Sequence, residues 1–360
     1  MENPDHDAGR LRLHGLSLSY FTGKLEAYCR AKGLAYDFIE MDMADFRRCA
    51  KATGRAQMPV LEFPDGRMLT DTTAIIAQSE DQGFEPALRP DDPAAAFLSR
   101  LYEDMFDEWL WRPALYYRWA FKPDTELRSR QIAETMLRDI RLPLWARRLF
   151  IRRRQKKLYL ELDGVSKTTA PQIEKLYADV LDALEPVFAA RPFLFGDRPC
   201  EADFGLFGSM FRHFYEDPTP RAIMEARSPQ TVLWVERMWA AKPTDFQNAA
   251  PLGAAPVDLA WFDGLAATQY LPYLEANSLA VSRGLSWTSW RLAGVDWLVP
   301  PSTYRLACLN TLRTGYAELP DAARESIASR LGEVGHVLLS GPLRQPQNVQ
   351  RSNAPKGPRD

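Results

Sequence analysis

The sequence predicts an α+β protein in three parts: a small mixed α/β domain over residues 10–86, an all-helical domain over 94–248, and an α-rich extension with a hairpin over 249–342. Three observations carry this. Alternating and helical apolar periods interleave near the N-terminus, helical periods alone follow, and a second alternating pair interrupts the helices of the last part. The length agrees, since 360 residues exceed one simple domain.

Leu11 to Gly15 alternates like a short strand. Lys24 to Lys32 follows as a helix with Leu25, Tyr28 and Cys29 on one face, and Gly33 is placed to end it. Tyr36 to Glu40 alternates again. Met58 to Phe63 and Arg67 to Leu69 flank Pro64-Asp65-Gly66, a hairpin signal, and Thr72 to Gln78 opens another helix. The order β-α-β-(α)-β-β-α is that of the thioredoxin-like fold. Ala94 to Trp119 then reads as one long helix kinked at Pro113. Ala170 to Phe188 carries an apolar stripe of Ile173, Leu176, Val180, Leu181 and Leu184. Further helices begin after Pro199 and at Ser228-Pro229. In the extension, Leu259 to Leu279 is helical, Ser286 to Leu298 turns back at Ala293-Gly294, and helices follow near 303–316 and 321–339. Residues 343–360, rich in Pro, Arg, Gln and Asn, are expected to be a disordered tail.

Composition excludes several classes. With 46% hydrophobic and 26% charged residues and a net charge of -2, the chain has no overall electrostatic footprint for nucleic acid. The opening MENPDHDAG has neither secretory nor transit character, and no apolar run approaches the roughly 20 residues that span a bilayer, so a cytoplasmic protein is expected. Cys29, Cys49, Cys200 and Cys308 form no C-x-x-C pair or zinc spacing, and the four histidines are dispersed, so no metal is expected. Cys29, on an apolar helical face, is a packing residue. No P-loop or G-x-G-x-x-G is present.

Three segments of the first domain carry candidate chemistry. Ser19-Tyr20-Phe21-Thr22-Gly23-Lys24 joins a strand to a helix, where free N–H groups and the positive dipole end favour an anion such as a thiolate. Ser19 could donate a hydrogen bond there, or simply cap the helix. Gln57-Met58-Pro59-Val60-Leu61 opens a strand. A cis Met58–Pro59 bond would turn the main chain of Met58 outward to pair with an extended peptide, while a trans proline on an edge strand is the plainer alternative. In Leu69-Thr70-Asp71-Thr72-Thr73, Thr72 can cap a helix whose N–H groups hold a carboxylate, and Asp71 offers an anion to an ammonium. An α-amino acid end would satisfy both, and an ordinary capped helix is the alternative.

In this order and spacing, the three segments resemble the glutathione site of the cytosolic glutathione-transferase superfamily. The resemblance covers about residues 10–248, and the extension is similar to that of large bacterial members. It places Ser19 against the glutathione sulfur as the catalytic residue, Met58 against the cysteinyl main chain, and Asp71 and Thr72 at the γ-glutamyl end. Tyr20 joins this binding set, and Arg55 and Gln57 are candidates for the glycine carboxylate. The stretch S-Y-F-T-G-K-L-E is also similar to that of metaxin-like relatives, often without enzymatic activity. Phe193 to Gly208 looks like the family's buried capping segment, with Asp203 as its structural aspartate and Cys200 in place of the capping hydroxyl.

The remaining motifs carry weaker signals. Trp109, Trp111, Tyr116, Tyr117 and Trp119 crowd one helix. Packing is the default for such aromatics, and the resemblance implies a second-substrate pocket walled by Trp109 and Tyr116. Glu103, Asp104, Asp107 and Glu108 alternate with Arg112 and Arg118 like a solvated face, Glu108 and Arg112 forming an i,i+4 pair. The basic stretch 138–157 reads as an exposed arm in preference to a membrane contact.

The resemblance implies a glutathione transferase that conjugates glutathione, its co-substrate, to a small apolar electrophile as a homodimer, in a detoxifying role. The alternative is a non-catalytic binding or interaction protein of the same fold. Thiol–disulfide exchange is disfavoured, because neither Ser19 nor Thr22 has the sulfur it requires.

Overall fold

A computed structural model describes residues 10–332 and 336–339. The polar N-terminal segment, the last residues of the extension and the tail expected over 343–360 lie outside the described residues.

Strand β1 (Leu11–Gly15) and β2 (Tyr36–Glu40) pair in parallel, joined by helix α1 (Tyr20–Ala31). Helix α2 (Met43–Thr53) leads to β3 (Val60–Glu62), antiparallel to β1 with Leu13 opposite Leu61, and β4 (Met68–Thr70) completes a sheet of order β2-β1-β3-β4. Helix α3 (Thr72–Asp81) follows. Leu13, Leu25, Cys29, Leu61 and Ile75 form the core between sheet, α1 and α3. Burial pushes the Cys29 thiol up to about 12, an inert packing residue as expected. This is a thioredoxin-like unit.

The helical part comprises α4 (Pro93–Trp109), α5 (Trp111–Ala120), α6 (Lys122–Glu134), α7 (Leu144–Lys156), α8 (Ala170–Ala190), α9 (Glu201–Ser209), α10 (Pro218–Arg227) and α11 (Pro229–Ala240). The single helix expected from Ala94 to Trp119 divides at Leu110. Pro113 falls in the first turn of α5, where its missing N–H breaks no helical bond. Every residue of α9 is buried. Two glycines permit this: a Cβ at Gly205 would sit 2.8 Å from the backbone of Glu103, and one at Gly208 2.6 Å from the Tyr20 ring. Asp203 accepts from the backbone N–H groups of Cys200 and Leu194 at 3.0 Å each and from Trp234 Nε1 at 3.1 Å. Burial raises its pKa to about 6 against these bonds. The Cys200 thiol forms a capping box with Asp203, as expected, and also donates to the Asp203 carboxylate at 3.4 Å.

The extension contains α12 (Ala260–Leu265), α13 (Leu271–Ser282), β5 (Thr288–Leu292), β6 (Val295–Val299), α14 (Thr303–Ala317), α15 (Asp321–Leu331) and α16 (His336–Leu339). The hairpin turns through Ala293 (φ +45°) and Gly294 (φ +82°), the positive pair of a two-residue I′ turn. Phe262, Tyr273, Leu309 and Ile327 belong to the same core cluster as α4, α8 and α9, so the extension shares that core. Arg112 is buried among the rings of Trp109, Tyr273, Trp290 and Trp297, 4.6–5.6 Å from their centroids, with Asp163 as counter-ion at 3.4 Å.

The solvated acidic face expected on α4 turns inward. Glu103 and Asp107 are 4% exposed and both accept from Lys24 of α1, itself fully buried. Burial opposes the ammonium, but Asp107 and Glu103 outweigh it and hold its pKa above the usual lysine range. Glu108 pairs with Arg305 of α14 at 3.0 Å, across a sequence separation that no local pattern reveals.

Candidate functional site between the sheet domain and the helices

The turn after β1 sets the first wall. Ser19 stands at the N-cap position of α1, with its carbonyl accepting from Gly23 N–H at 3.0 Å, yet its hydroxyl makes no capping bond. It lines a cavity of about 620 Å³ instead. The turn is held from the helical side. Buried Arg118 donates to the Leu18 carbonyl at 2.8 Å and grips Asp217 through two contacts of 2.8 and 3.0 Å. Burial opposes the Arg118 charge, lowering its pKa, and Asp217 counters this.

The second wall is the segment before β3. The Met58–Pro59 bond is cis. Pro59 O accepts from the Thr70 hydroxyl at 3.0 Å, and the Gln57 amide donates to that same hydroxyl at 3.0 Å. The third wall is the start of α3. Here the cap is Asp71, which accepts from Ala74 N–H at 3.4 Å, and buried Thr72 is the first helical residue. Asp71 has φ +79°, a conformation that aspartate tolerates better than most residues.

These walls enclose two abutting spaces. A recess of about 200 Å³ is lined by Phe21, Gln57, Met58, Pro59, Asp71 and Thr72, and closed by Glu108 and Tyr304. Phe21, Gln57 and Met58 also line the larger cavity. That cavity continues into apolar side chains of the helical part, among them Trp111, Leu115, Trp119, Ile132 and Met136.

Of the expected site residues, Ser19, Gln57, Met58, Asp71 and Thr72 come together around the two spaces. Tyr20 borders the cavity, but it is 1% exposed and its hydroxyl donates to Phe106 O at 2.7 Å. Burial also raises its pKa well above the ordinary tyrosine value. Its role is packing. Arg55 lines neither space and extends into solvent 3.7 Å from the Asp71 carboxylate. Trp109 and Tyr116 are corrections: neither lines the cavity. Trp111, Leu115 and Trp119, spaced four residues apart on one face of α5, line it instead. Trp109 packs on Tyr270 and Tyr273, and the Tyr116 hydroxyl donates to Glu174 at 2.5 Å. The sequence reading missed Tyr304 and Glu108 as walls of the recess and Arg118 as the brace of the Ser19 turn. An i,i+4,i+8 count from Trp111 would have found the cavity face of α5.

His14, Asp45 and Cys49 offer donor atoms within 4.8 Å of one another. His14 already engages Asp45 and Glu62 with its two ring nitrogens at 2.9 Å each, and Arg48 joins Glu62 at 3.2 Å. The cluster is an ion network tying α2 to the sheet.

Residues 13–87 match the family model described as glutathione S-transferase, N-terminal domain. A curated protein of Zea mays, named "Probable glutathione S-transferase BZ2", is 28% identical over 115 residues, which are 29% of this chain and 48% of that protein. The match therefore spans about half of that relative's length. Solved structures similar to the chain include the β-etherase LigF of Sphingobium sp. strain SYK-6, with 20% identity over 66% of this chain and 99% of that one, at a TM-score of 0.46. A glutathione S-transferase of Methylobacterium radiotolerans in complex with glutathione sulfonate shows 19% identity over 69% and 98%, at a TM-score of 0.40. Over residues 13–87, the stretch that carries all three segments, the chain is therefore similar to the N-terminal domain of glutathione S-transferases.

Proposed function

We propose that the protein binds glutathione along the wall from Asp71 to Ser19 and conjugates it to a small electrophile with a largely apolar body. The observation that carries this reading is the shared wall of Phe21, Gln57 and Met58: a recess bearing the Asp71 carboxylate at a helix start abuts an apolar cavity lined by Ser19, whose hydroxyl makes no capping bond. The γ-glutamyl end takes the recess, with its ammonium on Asp71 and its carboxylate on the first N–H groups of α3. Met58 pairs with the cysteinyl main chain, as in strand addition. The thiol then lies at Ser19, where the hydroxyl and the N-terminus of α1 stabilise the thiolate.

Chemistry follows from that placement. The thiol proton leaves to solvent and the thiolate sulfur attacks an electrophilic carbon in the cavity. A C–S bond forms, and the leaving group departs with its bonding pair. Apolar walls keep water from the carbon and strengthen the hydrogen bond from Ser19.

A cytoplasmic detoxifying role and a homodimer go with this reading. Helices α14 and α15 pack on α4, so a second copy must use another face, and light scattering at micromolar concentration tests for it. The direct test is thermal unfolding with glutathione at a few millimolar, since binding to the native state raises apparent stability. No shift ends the binding reading. A shift without turnover on any generic aromatic electrophile leaves the non-catalytic binding protein.

A further inference from the structure

The charge on the wall of the larger cavity is one-sided. The chain carries 47 aspartates and glutamates, yet among the described residues none lines this cavity, while Arg47, Arg118, Arg147 and Arg154 do. His213 adds no cation, because burial and then Arg118 hold its pKa well below the ordinary histidine value. Two of the arginines are already engaged. Arg118 braces the Ser19 turn, and Arg147 donates to the carbonyls of Ala133 and Leu137 at 2.9 and 2.7 Å. The other two differ. Arg47 of α2 and Arg154 of α7 are exposed, and among the described residues neither forms an ion pair; Arg154 makes one bond of 3.3 Å to Gln155. Some surface arginines elsewhere are matched, as Arg130 is by Glu134 and Arg227 by Asp182, and others such as Arg141 and Arg283 are not; what sets Arg47 and Arg154 apart is that both line a cavity whose wall carries no carboxylate among the described residues.

We propose that the cavity takes an amphipathic anion as second substrate: an apolar body among Trp111, Leu115, Trp119 and Met136, and a carboxylate, sulfonate or phosphate head at Arg47 and Arg154. This rests on reading the cavity as the second-substrate chamber and goes beyond it by naming the charge of the ligand. A guanidinium presents a planar fork of donors matched to an oxyanion. The absence of carboxylates on the wall removes the competitor that would otherwise neutralise the fork, and repels no anion on entry.

A matched pair of probes tests this on the full chain with glutathione saturating. 8-Anilinonaphthalene-1-sulfonate and N-phenyl-1-naphthylamine share their ring systems and differ by the sulfonate. Energy transfer from tryptophan reports binding of each probe, and competition between the two probes shows that they share one site. The sulfonate is expected to bind roughly fivefold to tenfold more tightly at low salt, with the preference shrinking toward 1 M salt. In the double variant Arg47→Gln, Arg154→Gln the preference disappears while the neutral probe binds as before. Both positions are exposed, so the fold is not at stake. Equal affinities in the parent, no binding of either probe, or a preference that survives the double substitution each overturn the proposal. So does a double variant that loses its glutathione-induced thermal shift, because the arginines then hold the tripeptide's glycyl carboxylate. A sulfonate preference in a protein that shows no glutathione shift sustains this inference and sinks the glutathione reading instead.

Discussion

The two spaces beside Ser19 share a wall but are built by opposite strategies. The recess of about 200 Å³ draws most of its lining from two short contiguous segments, Gln57 to Pro59 and Asp71-Thr72. The cavity of about 620 Å³ draws its lining from α2, α5, α6, α7 and the turns between them, with side chains that are spread along these elements singly or in adjacent pairs. Contiguous segments suit a ligand whose main chain and charged end must meet fixed hydrogen-bonding partners. Scattered side chains suit a ligand recognised by shape, and can change one at a time. The same difference explains why one space is legible in the sequence and the other is not.

The largest expected effect falls where the spaces meet. Ser19→Ala should slow conjugation by 10- to 1000-fold, about 1.4–4 kcal/mol at the transition state, and raise the pKa of the bound thiol. Glutathione affinity should change much less, because the recess holds the rest of the peptide. Stopped-flow rates together with a spectroscopic titration of bound thiolate separate the two. Unaltered turnover would remove Ser19 from the chemistry, and Tyr20 could not replace it, since its hydroxyl already serves the Phe106 carbonyl.

Next comes the recess alone. Asp71→Asn keeps the cap geometry and the tolerance for positive φ but removes the charge. It should weaken glutathione by about 1.5–3 kcal/mol, the scale of hydrogen bonds to charged groups. The matched naphthalene probes in the cavity should be unaffected, and calorimetry on both ligands checks the contrast. A parallel loss at both sites would mean that the two spaces are one.

Legibility followed sequence distance. Ser19, Met58 and Asp71 each lie in a short stretch whose strand, turn or cap chemistry is local, and the strand Tyr36–Glu40 was expected at its observed limits. Trp109 and Tyr116 were placed at the cavity by the resemblance alone, with no local pattern of this chain behind the choice, and they pack against Tyr273 and Glu174 instead. The acidic residues of α4 looked solvated because only neighbours at i,i+4 are visible locally. Their actual partners, Lys24 and Arg305, lie 79 and 197 residues away in sequence. Tyr304 could not be foreseen at the recess without knowing that the extension folds back onto α4.

That buried acidic face gives a pH-dependent prediction. Asp104 of α4 has its pKa raised to about 7, first by burial, with Glu103 and Glu108 adding and the Tyr270 hydroxyl, at 2.6 Å, opposing. The folded state therefore holds this proton more tightly than the unfolded state. Stability falls as pH rises from the unfolded carboxyl range near 4 to about 7, and the loss is complete above that. Asp104→Asn cannot ionise and keeps an acceptor for Tyr270. It should be more stable than the parent by about 1–2 kcal/mol at pH 8, with the gap closing toward pH 4. Denaturant unfolding across pH checks it, and a gap that does not narrow on acidification contradicts it. Both ligand sites should be unchanged, since Asp104 lines neither.

The smallest effect belongs to a residue remote from both spaces. Ala293 sits at φ +45° in the hairpin, where an alanine Cβ crowds its own backbone and Gly294 follows at φ +82°. Asparagine visits this region more readily, and Asn-Gly is the favoured pair for a two-residue I′ turn. Ala293→Asn should therefore stabilise the protein by about 0.5–1 kcal/mol, or roughly 1–2 °C in Tm. The hairpin it tightens carries Trp290 and Trp297, whose rings enclose Arg112 one residue from Trp111 on the cavity wall. If the extension only covers the helices, the gain in Tm leaves both probe affinities alone. If it also sets the cavity's shape, the affinity of N-phenyl-1-naphthylamine moves with Tm, while glutathione in the recess, held by its contiguous segments, does not.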